Sequence, residues 1–295
     1  MPDIELRFNR DMLVLSAPID EALARQGVDV GRDREFLSLI EPEAVRDAYR
    51  LESIAGAQCL VTNTAGITAA RLAHINMEDR ALDLAEASLT VLRSLRPQHI
   101  LAEIGPTMLP IDASSATSLN QNRDQYADAA RAFGDGIDAI FLNGMVSLTD
   151  MQCALMGVRK VCDRPVFASV DVDAEGNLVG RNQTIEEAAA LMDEYGADVV
   201  GFSTAAPLEA AVEAAKRMRT ACERPLLVQL VVGENNPKQG IATDENPYYC
   251  ADAMVGAATQ LRGAGAQFLR AVGAAVPSYT GALVAASAGF DVIEA

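Results

Sequence analysis

Glu103 and Arg270 each sit in a short run that is otherwise apolar, His99–Ile104 and Gln267–Ala271. A charge buried in such a place is costly unless it is paired or put to use. Other polar residues hold equivalent places near the ends of apolar runs: Ser16, Asn63, Asn143, Asp171, Ser203, Thr204 and Gln229. Side chains of these types can handle a small polar molecule. A guanidinium such as Arg270 grips a carboxylate through two parallel N–H bonds, and Glu103 or Asp171 can hold an amine or act as a base. Glu103 and Asp171 are therefore the candidate catalytic residues, with Asn63, Asn143, Ser203, Thr204 and Arg270 as candidate substrate-binding residues. A structural reading stands beside this one, in which Glu103 and Arg270 form an ion pair inside the protein.

The elements that must position these residues follow from the apolar pattern. Eight compact runs predict strands at Met12–Ala17, Gln58–Thr62, His99–Ile104, Ala139–Asn143, Val166–Val170, Asp198–Ser203, Leu226–Val231 and Gln267–Ala271. Runs rich in Val, Ile, Leu and Phe without alternation suit parallel strands buried on both faces. Amphipathic stretches at Asp79–Leu95, Gln121–Phe133, Thr184–Tyr195 and Leu208–Ala221 predict helices between them. Strands alternating with helices over 295 residues predict an α/β fold, a single (β/α)8 barrel of parallel strands spanning residues 1–295. Val14, Leu60, Leu101, Ile140, Val200, Val228 and Leu269 are expected within the barrel. The polar residues named above would then converge at its C-terminal mouth.

Punctuation supports the repeat. Cys162-Asp-Arg-Pro165 and Cys222-Glu-Arg-Pro225 each place a proline where a strand opens and a missing N–H costs little. Gly56, Gly136, Gly196 and Gly265 each stand two residues before a polar residue that leads into a strand, where a left-handed glycine can end a helix. Thr184-Ile-Glu-Glu187 fits a capping box, and Asn246-Pro247 fits a helix start. Thr107–Asn120 and Gly233–Glu245 read as loops at the functional end of the barrel.

Bulk properties narrow the classes. The chain carries 41 Asp and Glu against 24 Lys and Arg, a formal charge of −17. Such a surface repels phosphate backbones and anionic lipid, so nucleic acid and membrane are poor partners. The N-terminus lacks the basic and apolar segments of a secretory signal, and no window approaches the ~20 apolar residues of a membrane span. Cys59, Cys153, Cys162, Cys222 and Cys250 form an odd, scattered set without a CxxC pair, which suits reduced thiols and a cytoplasmic protein. With only His74 and His99 available, no histidine-rich metal site is expected. There is no GxSxG, and Gly134-Asp-Gly136 and Gly263-Ala-Gly265 lack the strand–turn–helix setting of a phosphate loop.

Several stretches resemble a known family in order along the chain. Pro42-Glu-Ala-Val-Arg46 and Gly56-Ala-Gln-Cys-Leu-Val-Thr-Asn-Thr64 look like the second βα unit of the homocysteine S-methyltransferase family. Ile104-Gly-Pro106 is similar to its signature after the third strand. Asp173-Ala-Glu-Gly176, Gly180 and Thr184-Ile-Glu-Glu-Ala-Ala189 look like its fifth loop and helix. Ala197-Asp-Val-Val-Gly201 resembles its sixth strand, and Gly263-Ala-Gly265 with Pro277 flanks its eighth. The resemblance implies a (β/α)8 barrel and a methyltransferase, with three cysteine thiolates that hold zinc and activate a homocysteine thiol.

The sequence departs from that pattern where the metal belongs. The matching positions are Thr204 and, counted back from Pro277, Val272 and Gly273. None offers a thiolate, so no zinc or other bound cofactor is expected. Ser16-Ala-Pro-Ile-Asp-Glu21 replaces the family's first-strand motif, and Asn143-Gly144 stands where it has Glu-Thr. These changes argue against ordinary homocysteine methylation. Two classes remain open: a divergent, zinc-independent methyltransferase acting on a small polar metabolite, or a non-catalytic barrel that binds a metabolite or a partner protein. The resemblance also admits a corrinoid protein or a folate as methyl carrier, met as a partner rather than held stoichiometrically.

Overall fold

The computed structural model describes residues 3–31, 34–234 and 240–288. Eight strands form the barrel: β1 (Leu13–Val14), β2 (Cys59–Val61), β3 (His99–Ile104), β4 (Ala139–Met145), β5 (Val166–Asp171), β6 (Val199–Thr204), β7 (Leu226–Val232) and β8 (Ala266–Gly273). Every ladder is parallel, and the order is β1-β8-β7-β6-β5-β4-β3-β2. The seam between β1 and β2 is thin. It closes through one bridge, Leu15 to Cys59, helped by Ser16 Oγ, which accepts from Val61 N–H at 3.0 Å.

Eleven α-helices accompany the strands among the described residues: α1 (Asp20–Arg25), α2 (Leu37–Ile40), α3 (Pro42–Ala55), α4 (Ala69–Leu72), α5 (Ala81–Ser94), α6 (Ala116–Phe133), α7 (Leu148–Arg159), α8 (Ile185–Glu194), α9 (Leu208–Ala221), α10 (Ala253–Gly263) and α11 (Pro277–Ser287). None is long and apolar enough to cross a membrane.

Local chemistry explains the boundaries. Pro165 and Pro225 precede β5 and β7 without N–H groups, and their carbonyls accept from Ile140 and Val200 to begin the ladders. Thr184 and Glu187 make the reciprocal bonds of the capping box at α8. Gly56, Gly196 and Gly265 take positive φ as expected. Gly136 does not; the left-handed turn after α6 falls on Gly134, at φ 52°. Two loop expectations also shift. Ser115 caps α6 through Ser118 N–H, so the helix begins inside the stretch read as a loop. Asn246-Pro247 starts no helix, because α10 begins at Ala253. The loop expected at Gly233–Glu245 lies partly outside the described residues.

Two apolar layers hold the barrel. Leu13, Leu15, Cys59, Val61, Leu101, Phe141, Phe167 and Phe268 are among the residues filling its inside. A short 3-10 helix at Ile4–Arg7 and Phe8 close this core from the N-terminal side of the strands, with Phe8 edge-on to Phe167 and Phe268. The larger layer lies between strands and helices. Of the residues expected within the barrel, only Leu101 belongs to the inner core; Val14, Leu60, Ile140, Val200, Val228 and Leu269 pack in the outer layer. Strands apolar on both faces carry no alternation from which to read the inward parity.

Candidate active site

The C-terminal ends of the strands surround one polar cavity of about 270 Å³. Asn63, Glu103, Asn143, Asp171, Ser203 and Arg270 all line it, as does Gln229. Thr204 does not. Next to Ser203 on an extended strand, it points the other way, and its hydroxyl accepts from Ala206 N–H at 3.2 Å. It lines a second, more apolar cavity of about 630 Å³ beyond β6, to which Asp171 and Ser203 also contribute. Ser16 stays behind the wall, holding the β1–β2 seam.

The cavity floor is a hydrogen-bonded chain. Asn143 Nδ2 donates to Glu103 Oε1 at 2.5 Å, and Gln229 Nε2 donates to Asn143 Oδ1 at 2.7 Å and to Ser169 Oγ at 2.8 Å. Arg270 Nη1 donates to Gln229 Oε1 at 3.3 Å, its Nε donates to the Ser16 carbonyl at 2.9 Å, and Nη2 faces Glu103 Oε2 at 3.7 Å. The Phe141 ring lies 5.5 Å from the guanidinium carbon. A register shift in β4 between Leu142 and Met145, with Gly144 at φ 74°, allows Asn143 to bridge Glu103 and Gln229. Glu103 N–H is itself fixed by Thr62 Oγ1 at 2.9 Å. The ion pair considered from the sequence is present, and it is only the centre of this larger network.

Asp171 stands apart. Among the described residues no hydrogen bond or cation reaches its carboxylate, and burial alone pushes its pKa up to about 6. Asn63 is the reverse case: its side chain accepts from Ser38 and Ser88 and donates to the Arg34 carbonyl, which ties the loop after β2 to α5, to α2 and to the chain before α2.

Sequence reasoning missed Asp20, Arg34 and Tyr49, which also line the cavity. Tyr49 arrives from α3 and donates to the Val61 carbonyl at 2.7 Å, with burial raising its pKa. Arg34 and Asp20 come from the excursion between β1 and α3 and pair at 3.0 Å. No strand-end rule could find residues from a helix or an irregular loop.

The residues do not fit zinc. Thr204 faces away from the main cavity, while Val272 and Gly273 line it without offering a donor side chain. Among the described residues, no group of three or more His, Cys, Asp or Glu side chains is arranged to hold a metal. Cys59 lies in the inner core with burial pushing its thiol up to about 12, and Cys153 is buried in α7 with burial raising its thiol to about 11.

A parallel eight-stranded barrel with a polar cavity at the strand C-termini is the architecture of (β/α)8 enzymes. The homocysteine S-methyltransferase family model matches residues 13–275, and the chain belongs to that family of methyltransferases. The methionine synthases of Mycobacterium tuberculosis and Mycobacterium leprae are 28% and 27% identical over 186 residues, 58% of this chain. The chain spans about 15% of the length of those proteins. The metallated form of the homocysteine methyltransferase MmuM from Escherichia coli superposes with a TM-score of 0.76 at 18% identity, covering 93% of this chain and 96% of that one. The carboxyl transferase domain of Rhizobium etli pyruvate carboxylase shares the barrel more distantly, with a TM-score of 0.51 at 13% identity, covering 92% of this chain and 41% of that one.

Proposed function

We propose that this protein is a zinc-independent methyltransferase that acts on a small polar metabolite, with Asp171 as its base. The observation that carries the reading is the unpartnered Asp171 carboxylate, raised to about 6, in a cavity otherwise satisfied by its own polar chain. The acceptor heteroatom attacks the methyl carbon while the donor–carbon bond breaks. The donor keeps that bond's electron pair, and the acceptor's proton passes to Asp171. Glu103 and Asn143, held by Gln229 and Arg270, orient the acceptor from the floor, with Ser203 beside Asp171. Asn63 and Thr204 support the neighbouring loops.

The same geometry limits the substrate. Against a free thiol near pKa 8.5, proton transfer to a base at about 6 is uphill by about 3 kcal/mol. A thiol acceptor would therefore give up its proton in step with methyl transfer rather than before it. A cavity of about 270 Å³ is too small to enclose a corrinoid or a folate. A carrier of either class would present its methyl group at the mouth, as a separate partner.

A non-catalytic binding barrel is the second reading. It is favoured by the floor residues, which satisfy one another as a structural network would. A methyl-transfer screen separates the two. Protein purified without chelators is offered methylcorrinoid, methylfolate, betaine and sulfonium donors with a panel of small acceptors. The enzyme reading expects turnover that Asp171→Asn lowers about 10²–10⁴-fold. Binding without turnover favours the second reading, and one zinc per chain by elemental analysis overturns the zinc-independent one.

A further inference from the structure

The second cavity, of about 630 Å³ beyond β6, meets the first at Asp171 and Ser203, which line both. Its wall is of a different kind. Ala205, Pro207, Val231 and the half-exposed Val179 make it apolar, and among the described residues its only charged side chains are Asp171, Asp173 and Asp244. Asp173 spends one oxygen on a turn, where Oδ1 accepts from Glu175 and Asn177 N–H. Arg217, whose charge Asp173 supports, is taken by Glu186 through Nε at 2.6 Å and Nη2 at 3.0 Å. At the boundary of the cavities Ser203 is 8% exposed, and among the described residues its hydroxyl has no hydrogen-bond partner. A buried hydroxyl left without a partner costs free energy that a bound ligand recovers.

We propose that the second cavity binds the alkylammonium arm of the acceptor, a protonated amine on an apolar stem that carries no carboxylate. The inference rests on the small-metabolite reading above and names the class of that metabolite. Carboxylates on an apolar wall attract a cation and repel an anion. With no Arg or Lys among the described residues of the wall, a ligand carboxylate would meet like charge and no partner. Aromatic side chains are also missing from the described wall. A quaternary onium group has no N–H to donate and is recognised on aromatic faces, whereas a protonated amine donates charge-assisted hydrogen bonds to carboxylates. The ammonium therefore sits at Asp173 and Asp244, and the stem runs along Val179, Pro207 and Val231. The far end passes Ser203 into the main cavity, where the reacting heteroatom meets Asp171.

The test reads binding, not turnover. Calorimetric titration of the wild-type protein compares probes of one chain length: butylamine, 1-butanol, butyrate and butyltrimethylammonium. Butylamine is expected to bind at one site per chain, about tenfold or more tighter than 1-butanol or the onium ion, with butyrate not bound. Variants then locate the site. The double variant Asp173→Asn with Asp244→Asn keeps the Oδ1 acceptor of the turn and removes both charges. It is expected to weaken butylamine about tenfold or more and to leave 1-butanol unchanged. Ala205→Leu fills the cavity from an exposed position and is expected to weaken both probes. Unliganded melting temperatures check that each variant folds. The inference is overturned if butylamine binds no tighter than 1-butanol, or if the onium ion binds as tightly as butylamine. It is equally overturned if the double variant binds butylamine as well as wild type does, which would mark general attraction to an acidic surface. Saturable amine binding without methyl transfer would sink the enzyme reading alone. Methyl transfer to an acceptor without an amine, undiminished in Ala205→Leu, would sink this inference alone.

Discussion

Asp171 holds its charge at the expense of stability. Its pKa is raised to about 6, so the folded state favours the protonated form. The penalty is absent below the unfolded value near 4, grows as pH rises through about 6, and is full above it. A rise of about two pH units corresponds to at most about 3 kcal/mol. Asp171→Asn should therefore raise the melting temperature at pH 7.5 and leave it unchanged at pH 4, as calorimetry at the two pH values would reveal. An equal gain at both would mean that Asp171 is not the displaced group. Arg270 should show the opposite sensitivity. Arg270→Met leaves Glu103 without its cation and Gln229 without a donor, and should destabilise by about 3 kcal/mol in urea unfolding. A loss below about 1 kcal/mol would mean that water in the cavity already screens Glu103.

Between elements, single groups set how helices and loops meet the barrel. Glu52 on α3 is buried and accepts from Ala17 N–H after β1 and from Thr280 on α11. Glu52→Ala strands both donors and should cost about 2–4 kcal/mol, whereas Glu52→Gln keeps one acceptor and should cost less. Gly157 on α7 lets that helix approach α6 so closely that a Cβ would strike the Arg123 carbonyl. Gly157→Ala should push α6 and α7 apart and lower the melting temperature by several degrees. The strands and most helices were legible because apolar runs, Pro165, Pro225 and the Thr184 capping box act locally. The inward parity of Leu60 or Val200 was not, since both faces of a parallel strand are apolar. Glu103, Asn143, Asp171, Ser203 and Arg270 could be placed at the mouth because strand ends carry their own position. Asp20, at the start of α1, and Arg34, just before α2, reach it only through the fold of the segment between β1 and α3, and Thr204 lost its place by one step of strand parity.

Over the whole molecule, the ladders carry register shifts between β4 and β5 and between β7 and β8, and are thinnest at the β1–β2 seam, where one bridge, the Ser16 hydroxyl and the Gln58 side chain join the ends. The seam adjoins the Arg34–Asp20 mouth, so hydrogen exchange at Ser16, Gln58 and Val61 should be faster than in β5–β7 and slow when ligand binds. A formal charge of −17 also makes the compact state repel itself. Its melting temperature should rise as salt is added from low ionic strength, because screening relieves that repulsion. The proposed mechanism is methyl transfer in a barrel whose base is a carboxylate and whose family thiolates are gone. Its most direct test is isotope-labelled methyl transfer by chelator-treated, metal-free protein, wild type beside Asp171→Asn, across the donor and acceptor panel. Labelled product is expected from the metal-free wild type, with a loss of about 10²-fold or more in Asp171→Asn. Transfer that disappears on chelation and returns with zinc, or that Asp171→Asn leaves intact, would rule this mechanism out.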